Sequence, residues 1–189
     1  MDLCVIVLTT NIDKESKPPK VMPKVCFKIE EKSMIEICLE NVFRLNPSKI
    51  ILMISKHEIL YINKIIKNAP YSKLVSYCVF DNGELYEQKI SLAKKCYTGK
   101  NVLVIPGNSP MLTTKSMNKI LSENRNLKVS NSLFYLKKDS LNIIDSISEH
   151  NFNKNTNDSK FLTDLELIQI ETRGQYDDMV VLFKNNKKK

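Results

Sequence analysis

Glycine is scarce in this sequence, and its scarcity excludes a common way of binding phosphate. Only four glycines occur among the 189 residues, and none lies in the loop that follows the first predicted strand, residues 3–9. Glycine-rich loops bind phosphates because backbone N–H groups without a neighbouring side chain can approach the anion closely. A glycine-rich phosphate loop is therefore absent at the position where an α/β protein most often has one.

Three further absences narrow the class of protein. No apolar run approaches the roughly 20 residues that a bilayer-spanning helix needs, and the N-terminus lacks the basic start and cleavage site of a signal peptide. No Cys-x-x-Cys pair exists, which excludes the common zinc and redox motifs. Because most of the cysteines stand among apolar neighbours, we predict reduced core thiols in a cytoplasmic, reducing compartment. They are Cys4, Cys26, Cys38, Cys78 and Cys96.

The positive charge is concentrated at the C-terminus. The net charge is +8 at pH 7, and half of it comes from Lys184 and the three lysines at 187–189. We predict that residues 185–189 form a disordered basic tail, whose contact with nucleic acid would be weak and purely electrostatic. Aromatic residues do not interleave with the basic ones as they do in a groove for single-stranded nucleic acid. The hydrophobic content of 42% indicates a folded globular protein.

Predicted strands and helices alternate along the first two thirds of the chain. Four apolar runs without polar alternation predict strands covered on both faces of a sheet, and they occupy residues 3–9, 49–55, 74–80 and 101–105. Helices are predicted over residues 33–45, 58–67, 84–96 and 115–123. Ser33 is the expected N-cap of the first helix, with Glu36 as its capping-box partner. This alternation favours an α/β fold with a doubly wound, mostly parallel sheet in one domain, residues 1–184.

The remaining third of the chain is less regular. Short strands are predicted over residues 127–130 and 132–136, a short helix over 140–148, a last strand over Leu165–Ile170 and a closing helix over Gly174–Phe183. The polar, low-complexity residues 151–160 predict a mobile loop. Earlier in the chain, Asp81-Asn82-Gly83 predicts a turn after the third strand.

Three stretches, in the same order and register, resemble the sugar-1-phosphate nucleotidyltransferases. Residues 23–35, Pro-Lys-Val-Cys-Phe-Lys-Ile-Glu-Glu-Lys-Ser-Met-Ile, are similar in spacing to Pro-Lys-Val-Leu-His-Pro-Leu-Ala-Gly-Lys-Pro-Met-Leu of the bacterial-type N-acetylglucosamine-1-phosphate uridyltransferases. Residues 102–113, Val-Leu-Val-Ile-Pro-Gly-Asn-Ser-Pro-Met-Leu-Thr, resemble the family's Val-Leu-Val-Leu-Pro-Gly-Asp-x-Pro-Leu-Leu-Thr. Residues 170–175, Ile-Glu-Thr-Arg-Gly-Gln, are similar to Val-Asn-Asp-Arg-x-Gln, which precedes the family's final helix.

The resemblance implies a fold, a reaction and a set of site residues. The fold would be the Rossmann-like type of the nucleotide-diphospho-sugar transferases. In the family's reaction a sugar-1-phosphate attacks the α-phosphate of a nucleoside triphosphate, and Mg²⁺ neutralises much of the phosphate charge. Lys24 matches the family's phosphate-contacting lysine and is the candidate catalytic residue. Asn108 and Glu171 fall at the two metal-ligand positions. The positions that would contact the nucleotide are Leu8, Thr9, Thr10, Lys24, Gly83 and Asn108.

The chain departs from the family pattern at the positions that carry the chemistry. Residues 8–16, Leu-Thr-Thr-Asn-Ile-Asp-Lys-Glu-Ser, stand opposite Leu-Ala-Ala-Gly-x-Gly-Thr-Arg-Met, so both glycines are missing and Glu15 replaces the arginine. Asn108 replaces the metal-binding aspartate, and Glu171 replaces the second ligand, an asparagine. A carboxylate and an amide have thus exchanged places. The region 110–171 is also much shorter than in the family, which implies a reduced C-terminal, sugar-binding half.

Three hypotheses of function follow from this pattern. The leading one is a degenerate nucleotidyltransferase-like domain that lacks efficient catalysis and serves as a binding, scaffolding or regulatory protein with a protein partner. The second is an active, divergent, Mg-dependent nucleotidyltransferase of the UDP-N-acetylglucosamine pyrophosphorylase type, which would use Lys24, Asn108 and Glu171. The third is a protein that binds a nucleoside triphosphate or nucleotide-sugar without turnover. A fold by itself does not decide among them.

Overall fold

A six-stranded mixed sheet forms the centre of the protein. The computed structural model describes residues 2–9, 22–80, 93–97, 100–130, 132–138 and 162–186. The strands, in chain order, are β1 (Leu3–Leu8), β2 (Lys28–Ile29), β3 (Lys32–Ser33), β4 (Lys49–Ser55), β5 (Val75–Phe80), β6 (Asn101–Pro106), β7 (Leu127–Ser130) and β8 (Leu133–Leu136). The large sheet has the order β5-β4-β1-β6-β8-β7, while β2 and β3 form a separate two-stranded ribbon.

The four strands of the predicted strand–helix units are parallel to one another. β1 lies between β4 and β6, and its last residue, Leu8, is paired with Met53 on one side and Pro106 on the other. Among the described strands of this sheet, only β8 runs opposite to these four, and it pairs antiparallel with both β6 and β7. The predicted α/β, doubly wound, mostly parallel sheet is therefore confirmed. Because parallel strands end at the same edge of a sheet, the segments after β1, β4 and β6 meet at one edge, which we call the carboxyl edge.

The central strands β1, β4 and β6 are buried on both faces, as their uninterrupted apolar sequences require. All six residues of β1 are buried. One face of the sheet packs against helix residues such as Leu39, Ile62 and Met117. The other face packs against Ala93 and Tyr97. Cys4, Cys26 and Cys38 are free, buried thiols, and burial is the main cause that raises the pKa of each to about 12, whereas Cys96 is exposed.

The first helix begins where its capping residues predict. The helices are α1 (Met34–Phe43), α2 (Ile59–Ile66), α3 (Lys94–Tyr97), α4 (Thr114–Ser122), α5 (Asp164–Leu167) and α6 (Arg173–Asn186), with short 3₁₀ turns at Lys24–Cys26 and Ser72–Leu74. At α1, the Ser33 hydroxyl accepts from the Glu36 N–H at 3.3 Å, and the Glu36 carboxylate accepts from the Ser33 N–H at 2.7 Å. This reciprocal pair is the predicted capping box.

The prediction of a last strand over Leu165–Ile170 is wrong. Asp164–Leu167 forms one helical turn, and Ile168–Ile170 has no regular structure. The reason is local: the Thr163 hydroxyl accepts from the Glu166 N–H, and the Glu166 carboxylate accepts from the Thr163 N–H at 2.7 Å. This second capping box favours a helix in place of the predicted strand.

Several predicted features lie outside the described residues. They are the turn at residues 81–83, most of the helix at 84–96, the helix at 140–148, the loop at 151–160 and the last three residues of the tail. The closing helix α6 continues to Asn186 and so includes the first two residues that we assigned to the tail. None of the helices described is long and apolar enough to cross a membrane.

Candidate functional site

The carboxyl ends of β1 and β6 meet in a close backbone contact at Gly107. The Gly107 N–H donates to the Leu8 carbonyl oxygen at 2.7 Å. A Cβ atom at position 107 would lie 3.1 Å from that same oxygen and 3.2 Å from Val7 Cγ1. Glycine is therefore needed here for close approach, and the contact fixes the position of the next residue, Asn108, at the carboxyl edge.

Asn108 links the carboxyl edge to the C-terminal segment. Its side chain is fully buried, and its Nδ2 donates to the Ile170 carbonyl oxygen at 3.1 Å. In return, the Ile170 N–H donates to the Asn108 carbonyl oxygen at 3.0 Å. Because the Ile170 oxygen can only accept, the amide nitrogen must face it, and Asn108 Oδ1 must point away. Among the described residues, neither that oxygen nor the buried Ser109 hydroxyl has a hydrogen-bond partner.

Glu171 and Lys24 meet beside this link. The Lys24 Nζ donates to the backbone carbonyl oxygen of Glu171 at 2.5 Å. The Glu171 N–H donates to Gln175 Oε1 at 2.9 Å, and the Thr172 N–H donates to the same atom at 3.0 Å. Gln175 thus caps the start of α6 and holds Glu171 in place, with the Glu171 residue itself exposed. The structure therefore brings Leu8, Lys24, Asn108 and Glu171 into one chain of contacts.

Thr9 lies at the same edge but faces the opposite direction, towards β4 and α2. It is buried, and its hydroxyl lies 2.8 Å from the Met53 carbonyl oxygen and 2.8 Å from Glu58 Oε2. One hydroxyl proton can serve only one of these acceptors at a time. The Ser55 N–H also donates to Glu58 Oε2, at 2.7 Å. Thr9 is thus engaged within the protein.

The fully buried carboxyl group of Glu58 was missed in the sequence analysis. The sequence contained a signal for this group: Ser55 and Glu58 have the spacing of a capping box, at the end of a buried strand. The two remaining predicted contacts with the nucleotide, Thr10 and Gly83, lie outside the described residues.

The two predicted metal positions offer a magnesium ion one carboxylate and one amide oxygen, and these groups differ in accessibility. Mg²⁺ needs oxygen ligands in near-octahedral geometry and is usually held by one or two carboxylates together with water and phosphate. Here the Asn108 amide oxygen is buried, while Glu171 is exposed at the surface. Nor do the described parts of the chain contain a group of three or more histidine, cysteine, aspartate or glutamate side chains that could hold a metal.

A third polar contact holds the C-terminal segment against α4. Glu166 Oε1 accepts a short hydrogen bond from the Ser116 hydroxyl, which lies 2.7 Å from the hydroxyl of the α4 N-cap, Thr113. Partial burial on its own raises the pKa of Glu166, but the hydrogen bonds from Ser116 and Thr163 and the charge of Lys119 together outweigh it, so its pKa is lowered. The ionised carboxylate thus ties α5 to the first turn of α4, upstream of Ile170.

The lowered pKa of Glu166 predicts a specific pH dependence of stability. An acid whose pKa is depressed by folding stabilises the protein above its unfolded-state value, and this contribution is lost as the pH falls through the folded-state value. We therefore expect the difference in unfolding free energy between the wild type and Glu166→Gln to be largest near neutral pH. The difference should shrink below about pH 4.5. Urea unfolding at a series of pH values measures it, and a difference that grows on acidification would contradict this account.

Comparison with solved structures identifies the fold but not a specific activity. A 4-diphosphocytidyl-2C-methyl-D-erythritol synthase from Anaerococcus prevotii is similar with a TM-score of 0.69 and 14% identity, over 97% of this chain and 98% of the other. Another structure of that synthase is similar with a TM-score of 0.63 and 10% identity, over 96% of this chain and 99% of the other. A third similar structure is a Bacillus anthracis protein provisionally assigned as a glucose-1-phosphate thymidylyltransferase and crystallised with sucrose. Its TM-score is 0.60 and its identity 11%, over 77% of this chain and 75% of the other.

These similarities place the chain among proteins with the nucleotidyltransferase fold. No protein-family model matches the chain, and no curated protein sequence does. The two synthases align with it almost end to end. The chain as a whole is therefore not short relative to these synthases, and the reduced sugar-binding half expected from the uridyltransferase motifs stays a prediction.

Proposed function

We propose that this protein is a nucleotidyltransferase-like domain that lacks efficient catalysis and acts as a binding, scaffolding or regulatory protein. The observation that carries the proposal is the environment of Asn108. Its amide stands where the uridyltransferase motif has a metal-binding aspartate, and it is buried and hydrogen-bonded to the backbone of Ile170. With its nitrogen bonded to Ile170, this side chain can offer a metal only one buried, neutral amide oxygen, a weaker Mg²⁺ ligand than the carboxylate of the family motif.

Two other predicted site residues support the proposal in the same way. The Thr9 hydroxyl contacts Met53 and Glu58 inside the protein, and the Lys24 ammonium contacts the backbone of Glu171. Glu58 adds a buried carboxyl group at the edge where a triphosphate would have to lie.

Enzymatic assay distinguishes this proposal from a divergent enzyme. We expect no pyrophosphate release above background when the full chain is incubated with Mg²⁺, each of the four common nucleoside triphosphates and a panel of sugar-1-phosphates, including N-acetylglucosamine-1-phosphate. Sustained release that Glu171→Ala abolishes would overturn the proposal. It would favour instead an active, Mg-dependent nucleotidyltransferase that uses Lys24, Asn108 and Glu171.

Residual binding of a nucleotide or nucleotide-sugar without turnover is a second candidate, favoured by the position of Lys24. Its ammonium group lies at the carboxyl edge beside Glu171, where ligands bind in open α/β sheets. If phosphate is bound there, we expect Lys24→Ala to weaken binding of a nucleoside triphosphate about tenfold at low ionic strength. Calorimetric titration in the presence of a chelator measures the loss.

A matched control is available on the two-stranded ribbon. Lys32 is exposed and forms an ion pair with Glu40 at 2.6 Å. The Lys32→Ala variant removes one positive charge, as Lys24→Ala does, and should bind nucleotide with wild-type affinity. Equal losses in both variants would mean that lysine acts only through net charge, and no detectable binding at millimolar nucleotide would exclude this second candidate.

A further inference from the structure

Apolar side chains are exposed on α2 and on β5, the strand at one end of the large sheet. Leu60 of α2 is 73% exposed, and Tyr77 and Val79 of β5 are 38% and 39% exposed. Residues two apart in a strand point to the same face, and the Tyr77 hydroxyl donates to Asn63 Oδ1 of α2 at 3.3 Å. Because Leu60 and Asn63 are neighbours on the helix, these side chains share one surface, which we call the α2–β5 surface.

Lysines accompany these apolar residues, and no exposed acidic residue does. Residues 46–80, which contain β4, α2 and β5, include five lysines and one acidic residue. That acidic residue, Glu58, is fully buried. Lys64 and Lys67 are exposed on α2, and Lys73 is exposed in the 3₁₀ turn that precedes β5. The α2–β5 surface is therefore cationic.

The three lysines of the α2–β5 surface lack the ion pairs that lysines form elsewhere in the protein. On the two-stranded ribbon, for example, Lys32 is paired with Glu40 at 2.6 Å. Within the described residues, no carboxylate pairs with any of the three. A second copy of the chain carries the same net charge of +8 and the same lysines, so it is repelled from this surface. An acidic partner is complementary to it.

The apolar residues favour an acidic protein segment over a nucleic acid. Single-stranded nucleic acids bind through bases that stack on several aromatic rings. On the α2–β5 surface Tyr77 supplies one exposed ring, and Leu60 and Val79 supply aliphatic groups. Aliphatic groups pack well against apolar side chains of a peptide. A segment in which carboxylates surround a few apolar residues therefore matches both the charge and the apolar part of this surface.

We propose that the α2–β5 surface binds an acidic segment of a partner protein, with the apolar side chains of the segment on the exposed apolar residues and its carboxylates beside the three lysines. Because these lysines are exposed, each ion pair contributes little, and the affinity is weak and falls as the salt concentration rises.

An acidic segment is thus the partner class that we assign to the binding role proposed above. The α2–β5 surface is distinct from the site at Asn108, since β4 and β1 separate β5 from β6 in the sheet. The assignment rests on the proposed function only in its binding role: nucleotide turnover would overturn the loss of catalysis and leave the α2–β5 surface unaffected.

Fluorescence anisotropy with a defined peptide tests the proposal on the full chain. The probe is the end-capped, fluorescein-labelled peptide Glu-Asp-Leu-Asp-Glu-Val-Leu-Asp-Glu. We expect a dissociation constant of tens to hundreds of micromolar at low ionic strength. Replacing the apolar residues of the peptide by serine should weaken binding at least about fivefold, because only the charges then remain. Equal binding without the apolar residues would reduce the contact to net charge and overturn the proposal.

Two pairs of variants locate the contact. Lys67→Glu should weaken binding of the probe about fivefold, whereas Lys115→Glu makes the same charge change at an exposed position of α4 and should leave binding unchanged. Leu60→Ser should weaken binding by a similar factor. Its control is Val181→Ser, at a residue that is 57% exposed on α6, and this variant should bind as the wild type does. Circular dichroism confirms that each variant keeps its helices.

Three further results would each overturn the proposal. The first is the absence of binding at millimolar protein and low ionic strength. The second is an equal loss of binding in a variant and its control. The third is tighter binding of an oligothymidylate with the same net charge as the peptide, which would identify the α2–β5 surface as a nucleic-acid surface instead.

Discussion

Replacing Asn108 by aspartate should lower the free energy of unfolding by about 2–4 kcal/mol at neutral pH. The amide nitrogen that now donates to the Ile170 carbonyl at 3.1 Å would become a carboxylate oxygen facing another oxygen. The position is fully buried, and the oxygen that Asn108 already has finds no donor among the described residues. The new charge would therefore be both desolvated and repelled. Urea unfolding of the two proteins measures the difference.

The same variant should regain stability at low pH. Burial and the nearby carbonyl oxygen both raise the pKa of an aspartate at position 108 in the folded protein above its unfolded value of about 3.9. An acid whose pKa is raised by folding destabilises the protein increasingly as the pH rises above the unfolded value, and the deficit disappears below it. The gap between wild type and Asn108→Asp should thus close as the pH is lowered from about 7 towards about 4. Once protonated, the carboxyl group can donate to Ile170 as the amide does.

A matched substitution and a metal titration make this prediction decisive. Asn118→Asp changes the same atoms at an exposed position within α4 and should alter stability by no more than about 0.5 kcal/mol. If Asn108→Asp is as stable as the wild type at neutral pH, the structural role of the Asn108 amide is contradicted. If Mg²⁺ raises the melting temperature of Asn108→Asp but not that of Asn118→Asp, the site can still bind metal. That result would favour recent descent from an active enzyme.

Gly107→Ala should also destabilise the protein, by about 1–3 kcal/mol. The added methyl group would lie 3.1 Å from the Leu8 carbonyl oxygen, 3.2 Å from Val7 Cγ1 and 3.3 Å from Ile35 Cδ1. The first of these is a backbone atom that already accepts from the Gly107 N–H at 2.7 Å, so it cannot move away without stretching that bond. The turn that carries Asn108 would have to shift, and thermal or urea unfolding would record the cost.

Gly174→Ala is the control for the effect of adding a methyl group. A Cβ atom there meets nothing within 4 Å, and alanine is the better helix former, so this variant should be more stable by up to about 1 kcal/mol. Both variants are compared at the same protein concentration. Equal effects at the two glycines would show that the contact between Gly107 and Leu8 is not the source of the loss.

Much of the fold follows from local patterns in the sequence. The uninterrupted apolar runs predicted the parallel strands β1, β4, β5 and β6, and Ser33 with Glu36 predicted the start of α1. The one strand predicted wrongly, Leu165–Ile170, had a competing local signal in Thr163 and Glu166. These signals can be recognised in the sequence because capping pairs and apolar runs involve residues only a few positions apart.

Local patterns were sufficient to predict the parallel α/β sheet, and the motifs were sufficient to single out Lys24, Asn108 and Glu171. The contacts of these residues became known from the three-dimensional structure alone. Asn108 bonds to a backbone group 62 positions away, and Thr9 contacts Glu58, 49 positions away. No local pattern specifies such a pairing, because it depends on how separate loops meet after the sheet has assembled. The family motif assigns Asn108 to a metal. In the structure, Asn108 links β6 to the segment that leads into α6.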